Sequence, residues 1–270
     1  MTRSDPSVPP PDAPILAAKS HGAPSVFEPH ALLREARRQK GVPSTDIPSV
    51  CLLDPDGDIV RHLKATGAAR PSPGWACYHT EMIEFDLAGQ RIGLVGTAVG
   101  APFAVLIAEQ AFASGARLLI SITSAGQLVE IARPPYFIAI ERALRDEGTS
   151  YHYLPPTEFS EADRALIEPA RQAAMAAGIA IHGGATWTTD APFRETEAAI
   201  AAARARGALA VEMEAAALYA FATARRQRVI CFAHVTNTMG RIEGDFEKGE
   251  ADGSAASLAL VAATIKGCPP

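Results

Sequence analysis

One stretch constrains this chain more than any other: the apolar run 91–95, Gly96, then Gly100-Ala101-Pro102, the segment FAVLIAEQAFASGA and the run Leu118-Leu119-Ile120-Ser121-Ile122. Proline just inside a helix start lacks the N–H that the first turn leaves unpaired, and glycine at the end tolerates the conformation that stops the last turn. The run 118–122 is short, apolar and not alternating, as expected of a strand covered on both faces. Strand, glycine-rich turn, helix and strand in that order predict a βαβ unit with a buried parallel strand.

The alternation continues on either side. Residues 30–42 predict a short amphipathic helix, and Val50-Cys51-Leu52-Leu53 a strand closed by the turn-forming Asp54-Pro55-Asp56-Gly57. Residues 82–87, the turn Ala88-Gly89-Gln90 and residues 91–95 predict a hairpin. Further on, strands are expected over 136–140, 179–187 and 229–235. Helices are expected over 161–177, opened by Ser160, over 195–206, around 213–226 after Leu209-Ala210-Val211, and over 254–265. The expected fold class is α/β: a single domain over 26–270 with a mixed central β-sheet flanked by helices, behind a flexible, proline-rich tail over 1–25. Neither an internal repeat nor a second-domain linker is visible.

With 48% hydrophobic and 20% charged residues over 270 positions, the chain can build one sizeable core, which argues against disorder. Lys and Arg number 25 against 30 Asp and Glu, so a surface for nucleic acid or anionic lipid is not expected, and a small bound ligand fits better. Cys51, Cys77, Cys231 and Cys268 are scattered, without a Cys-x-x-Cys pair or clustered His, so no disulfide framework and no metal site are expected. Reduced thiols in a cytoplasmic setting follow. The N-terminus MTRSDPSVPPPDAP has no apolar run of secretory type, and residues 92–107 are broken by Gly96, Thr97, Gly100 and Pro102, so no membrane span is expected.

Ligands of open α/β sheets bind at the carboxyl ends of strands, so polar groups placed just after apolar runs are the candidates. Asp54-Pro-Asp-Gly57-Asp-Ile-Val-Arg61 is either a hairpin turn with a surface arginine or a turn presenting N–H groups and a guanidinium to an anion. In the second case Asp54, Asp56 and Asp58 would repel a phosphate unless they point away. Ser121-Ile-Thr123-Ser124-Ala-Gly126 offers hydroxyl donors after a buried strand, or a plain turn. In Trp187-Thr-Thr-Asp190-Ala-Pro192-Phe193-Arg194, Asp190 caps the next helix, or the aromatic ring and Arg194 face a heterocyclic base. Val211-Glu212-Met213-Glu214 puts two carboxylates at the mouth of an alanine-rich helix, where an unpaired charge is expensive. They either complement the helix dipole or hold a ligand such as paired sugar hydroxyls. Finally, Thr236-Asn237-Thr238 follows the strand 229–235, and Asn237 is a turn residue or a hydrogen-bonding partner for a base.

Together these segments resemble the nucleoside phosphorylase family of purine nucleoside phosphorylases, uridine phosphorylases and related nucleosidases, from about residue 48 to 265. GLVGTAVGAPFAVLIAEQAFASGARLLISITSAG is similar to that family's central turn, helix and strand, and AVEMEAAALYAFA to its ribose-binding signature. The resemblance implies that Glu214 holds the ribose hydroxyls, Met213 packs on the sugar and Glu212 supports the turn. It makes Gly57, Arg61 and Ser124 the phosphate site, and Phe193, Arg194 and Asn237 the base site. Glu214, Asn237 and Arg61 are the expected catalytic residues. Asn237 stands where purine-cleaving hexameric members carry an Asp, which favours a uridine-like pyrimidine or a 6-oxopurine. Ser121 stands where phosphorolytic relatives carry an Arg, and no Arg lies near Tyr78 and His79, where a neighbouring subunit would donate one. His79 is a candidate for that cross-subunit place. The implied activity is phosphorolysis with inorganic phosphate as co-substrate and no cofactor, in a homo-oligomeric dimer or hexamer. Hydrolysis and non-catalytic nucleoside binding are the alternatives.

Overall fold

The computed structural model describes residues 13–240 and 243–270, so residues 1–12 of the tail expected over 1–25 lie outside the described residues. Residues 13–25 run in turns against the body: His21 Nε2 lies 3.1 Å from the Tyr151 carbonyl and Lys19 Nζ 3.1 Å from His152 Nδ1.

Among the described residues, one sheet of ten strands forms the centre. The strands are β1 Val50–Asp54, β2 Arg70–Pro71, β3 Ile83–Leu87, β4 Gln90–Gly96, β5 Leu118–Gln127, β6 Tyr136–Asp146, β7 Phe159–Glu161, β8 Ile181–Thr189, β9 Ala208–Glu212 and β10 Val229–Asn237. The helices are α1 Pro29–Lys40, α2 Asp58–Ala65, α3 Ala101–Ala113, α4 Ser150–Tyr153, α5 Arg164–Ala176, α6 Glu197–Ala205, α7 Ala215–Arg225 and α8 Ser254–Gly267. The expected mixed α/β architecture is present.

The βαβ unit is realised with a strand between its arms: β4 and β5 both pair in parallel with β1, in the register Leu52↔Leu94 and Leu52↔Ile120. The hairpin over 82–95 forms as β3 and β4, antiparallel. Beyond β5 the sheet curls. β10 pairs parallel with β5 and antiparallel with β6, β6 parallel with β8, β8 parallel with β9, and β9 antiparallel with β5 at Gly126↔Val211. Five strands therefore close on themselves.

Alternate residues of each buried strand serve two cores. Leu53, Leu119 and Cys231 face α3 and α7, while Leu52, Ile120 and Ile230 face α2, α5 and α8. Burial on both faces explains their unalternating apolar sequence. A third cluster, including Trp187, Ile200 and Val211, seats α6. Tyr219 ties α7 to the sheet, donating to the Ile140 carbonyl at 2.7 Å and accepting from the Cys231 N–H at 3.1 Å.

Three local expectations are corrected. Asp54–Gly57 does not close a hairpin but turns directly into α2. Ser160 does not open α5: it lies in the short strand β7, and Asp163 caps the helix by accepting from the Ala165 N–H at 2.9 Å. Thr196, rather than Asp190, caps α6. Cys51, Cys77, Cys231 and Cys268 are buried free thiols, and no helix of the described residues is long and apolar enough to cross a membrane.

Candidate active site

The carboxyl ends of β1, β4, β5, β8, β9 and β10 converge, and their last residues bring the separated motifs together. Closure of the curled sheet does this: Asn237 at the end of β10 pairs with Gly126 of β5, which also pairs with Val211 beside Glu212.

Glu212 and Glu214 divide their tasks. Glu212 is buried and accepts hydrogen bonds from the Glu214 and Ala215 N–H groups, each at 2.7 Å, and from the hydroxyls of Thr186 and Thr188. It satisfies the first turn of α7, the capping role that a carboxylate at a helix start performs. Glu214 caps nothing. Its Oε1 accepts the Gly100 N–H at 2.6 Å, and its Oε2 is buried without a partner, on a residue only 1% exposed. Burial, then the charge of Glu212 beside it, pushes the Glu214 carboxyl up to about 8. Burial also raises Glu212, but its four donors favour the charged form, so a proton shared by the pair belongs on Glu214. A buried carboxyl with an open oxygen is built to receive donors from a ligand. Met213 between them is half-buried.

The donor for Glu214 depends on a glycine. Gly100 has φ 93° and ψ 148°, a conformation that residues with a Cβ rarely adopt, and it places its N–H on Glu214 just before α3 begins.

The second part of the site lies at α2. Gly57 takes φ 76°, and a Cβ there would meet Thr97 Cγ2 at 2.7 Å. The three neighbouring aspartates have three different fates. Asp54 turns inward and accepts from the Gly57 and Val60 N–H groups at 3.1 and 3.0 Å; burial pushes its carboxyl up to about 6 against those bonds. Asp58 pairs with Arg61 and with Lys248 Nζ at 2.5 Å. Asp56 Oδ2 accepts the backbone N–H of Ser124 at 2.7 Å. Arg61 also donates to the Asp56 carbonyl at 3.1 Å. Gly57, Arg61 and Ser124 are thus brought together, with their donors partly engaged by these carboxylates. His234 packs on Phe137 with ring centroids 4.6 Å apart, and burial, then the Lys248 charge, pulls it down to about 4, so it is neutral at neutral pH. The buried Ser121 hydroxyl has no partner.

The base-side residues are less gathered. Asn237 is buried, donating to Thr236 Oγ1 at 3.2 Å and accepting the Met239 N–H at 2.9 Å. Phe193 is 99% exposed and Arg194 is exposed, both in a single 3₁₀ turn. His79 is exposed on the loop before β3. Gly100, Asp56 and Lys248 were missed as site residues in the sequence. The acidic flanks of Gly57 were a visible signal for Asp56; nothing local marks Lys248, which meets Asp58 across 190 positions.

The fold is a mixed α/β one whose joined strand ends carry a buried carboxyl with an open oxygen, Glu214, with Gly57, Arg61 and Ser124 gathered at the neighbouring turn. A family model described as the phosphorylase superfamily matches residues 55–266, and the chain belongs to that family. Among curated relatives, a DeoD-type purine nucleoside phosphorylase of Streptococcus pyogenes serotype M5 (strain Manfredo) is 24% identical over 153 residues, which is 56% of this chain and 65% of the relative. One of Jannaschia sp. (strain CCS1) is 27% identical over 151 residues, 55% and 64% of the two lengths. The chain thus spans somewhat less than two thirds of each. The fold is similar to uridine phosphorylase of Vibrio fischeri ES114 complexed with 6-hydroxy-1-naphthoic acid, with a TM-score of 0.69 and 20% identity over 83% of this chain and 93% of that one. It is also similar to Toxoplasma gondii purine nucleoside phosphorylase in complex with immucillin-H, with a TM-score of 0.68 and 17% identity over 83% and 91%.

Proposed function

We propose that this protein cleaves the N-glycosidic bond of a nucleoside, a uridine-like pyrimidine or a 6-oxopurine nucleoside, releasing the free base. The observation that carries the reading is the buried, unpartnered Oε2 of Glu214 at the joined ends of β5, β9 and β10. In this reading the ionised Glu214 accepts hydrogen bonds from the ribose 2′- and 3′-hydroxyls, and Glu212 holds the turn that aims it. Positive charge develops on the ribosyl centre as the C1′–N bond breaks, and the departing base is steadied by Asn237, which hydrogen-bonds without supplying an acid proton. Arg194 and Phe193, exposed on the 3₁₀ turn after β8, are the further candidates for base contact. Positioning and electrostatic stabilisation supply the rate enhancement.

The ribosyl group passes to an acceptor at Ser124 and Arg61. Inorganic phosphate, giving ribose 1-phosphate, and water, giving free ribose, are the two candidate acceptors; the likeness to phosphorylases supports the first and the seating of Asp56 on the Ser124 N–H the second. No cofactor is needed for either. We also read the working form as a homo-oligomer in the cytoplasm, with Val26, Phe27, Val99 and Leu106, exposed on and beside α3, as the kind of apolar surface a second copy would cover.

The test is Glu214→Ala against the wild type. Loss of the sugar contact should lower kcat/KM for base release by at least about 100-fold, of the order seen when one charged transition-state contact is removed. Retention within a few-fold would refute the sugar-site assignment.

A further inference from the structure

We infer that Asp56 selects the acceptor: its carboxylate occupies the N–H that an incoming anion needs, excludes phosphate, and takes a proton from an attacking water, so that the chain hydrolyses its nucleoside. The inference rests on the reading of Glu214 as the sugar-binding carboxylate and goes beyond it by naming the second substrate.

The argument is one of donors already spent. An anion at this turn would draw on the Gly57 and Ser124 N–H groups and on nearby cations. The Gly57 N–H is held by Asp54, at 3.1 Å from its carboxylate and 3.0 Å from its carbonyl. The Ser124 N–H is held by Asp56 at 2.7 Å. Arg61 is engaged by Asp58 and by the Asp56 carbonyl, and Lys248 by Asp58. The buried Ser121 hydroxyl, on the same strand as Ser124, has no partner and brings no positive charge. Among the described residues, Asp54, Asp56 and Asp58 stand against Arg61 and Lys248 at this turn, and a phosphate dianion would have to displace a carboxylate of its own sign. A water molecule meets none of these obstacles. The carboxylate of Asp56, close enough for its charge to act on Glu214, is a ready proton acceptor.

The step balances without a further reactant. The C1′–N bond breaks with its electron pair leaving on the base, and the water oxygen forms the new bond to C1′. One water proton passes to the Asp56 carboxylate and then to solvent, while the base anion, hydrogen-bonded by Asn237, is protonated from solvent. The net change is addition of water across the glycosidic bond, giving free ribose and free base.

The experiment follows uridine and inosine cleavage by the full chain in phosphate-free buffer and with added inorganic phosphate. Free base is read by chromatography, and the sugar product by phosphorus NMR and a reducing-sugar assay. The expected result is base release without phosphate, ribose as the product, and no acceleration on adding phosphate. Asp56→Asn should lower the phosphate-free rate by about 100-fold or more, the usual contribution of a general base, and phosphate should now yield ribose 1-phosphate. Wild-type release that requires phosphate, with ribose 1-phosphate formed, would overturn the acceptor assignment while leaving nucleoside cleavage standing. An Asp56→Asn protein that keeps its phosphate-free rate within a few-fold would overturn the role given to Asp56. Release of base in neither buffer would overturn the nucleoside reading and this inference with it. The wild-type comparison decides the acceptor even if the variant fails to fold.

Discussion

Glu212 and Glu214 are two residues apart and both buried, yet they are held differently: four donors saturate Glu212, while Glu214 has the Gly100 N–H on Oε1 and the Thr123 hydroxyl nearby. This difference has a measurable pH signature. The folded protein keeps a proton on Glu214 up to about pH 8, whereas the unfolded chain releases it near the ordinary value of 4.5. Between those values the native state binds more protons, so stability falls as pH rises. Glu214→Gln removes that proton linkage. The melting temperature of the wild type, measured relative to Glu214→Gln from pH 5 to pH 8.5, should therefore decline with rising pH and level off above about 8. Comparison with the variant separates Glu214 from Asp54, which weakens stability as pH rises toward 6, and from His234, which acts oppositely between about 4 and 6.5. A flat difference would mean that Glu214 is ionised in the empty site. Nucleoside affinity should move the other way, rising with pH as the ionised carboxylate becomes available to sugar hydroxyls.

At the scale of elements, the site stands on short connections that depend on particular residues. Gly100 joins β4 to α3 in a conformation reserved for glycine while its N–H holds Oε1 of Glu214. Gly100→Ala should lower folding stability by about 1–3 kcal/mol, the usual strain of a side chain in such a region, and should raise KM for the nucleoside. Denaturant unfolding and steady-state kinetics check both, and an unchanged midpoint with an unchanged KM would contradict the role of this turn. The elements themselves were largely legible, because strands such as β5 and β10 are apolar runs and α3 carries its own start and stop residues. What was missed has physical causes. The helix α2 is eight residues long and follows four strong turn formers, so the turn chemistry of Asp54–Gly57 masked it. β7 has three residues, too few for any periodicity, and its Ser160 resembled a helix cap. The carboxylate pair was visible in the sequence, but which member caps α7 depends on Thr186 and Thr188 from another strand, and no local pattern carries that.

For the whole molecule, closure of β5, β10, β6, β8 and β9 turns scattered motifs into one site, joining residues as distant in sequence as Asp58 and Lys248. Composition foresaw only that broad polyanions would be poor partners. The structure sharpens this locally: among the described residues, Arg61 and Lys248 are both paired with Asp58, and Asp56 holds the Ser124 N–H. The central claim is that this assembled site breaks a nucleoside at its glycosidic bond. It is tested most directly by measuring free-base release from uridine, thymidine, inosine and adenosine with the wild-type protein, each with and without phosphate. The account predicts release from uridine or inosine well above that from adenosine. Failure to release base from any of the four under either condition would contradict it.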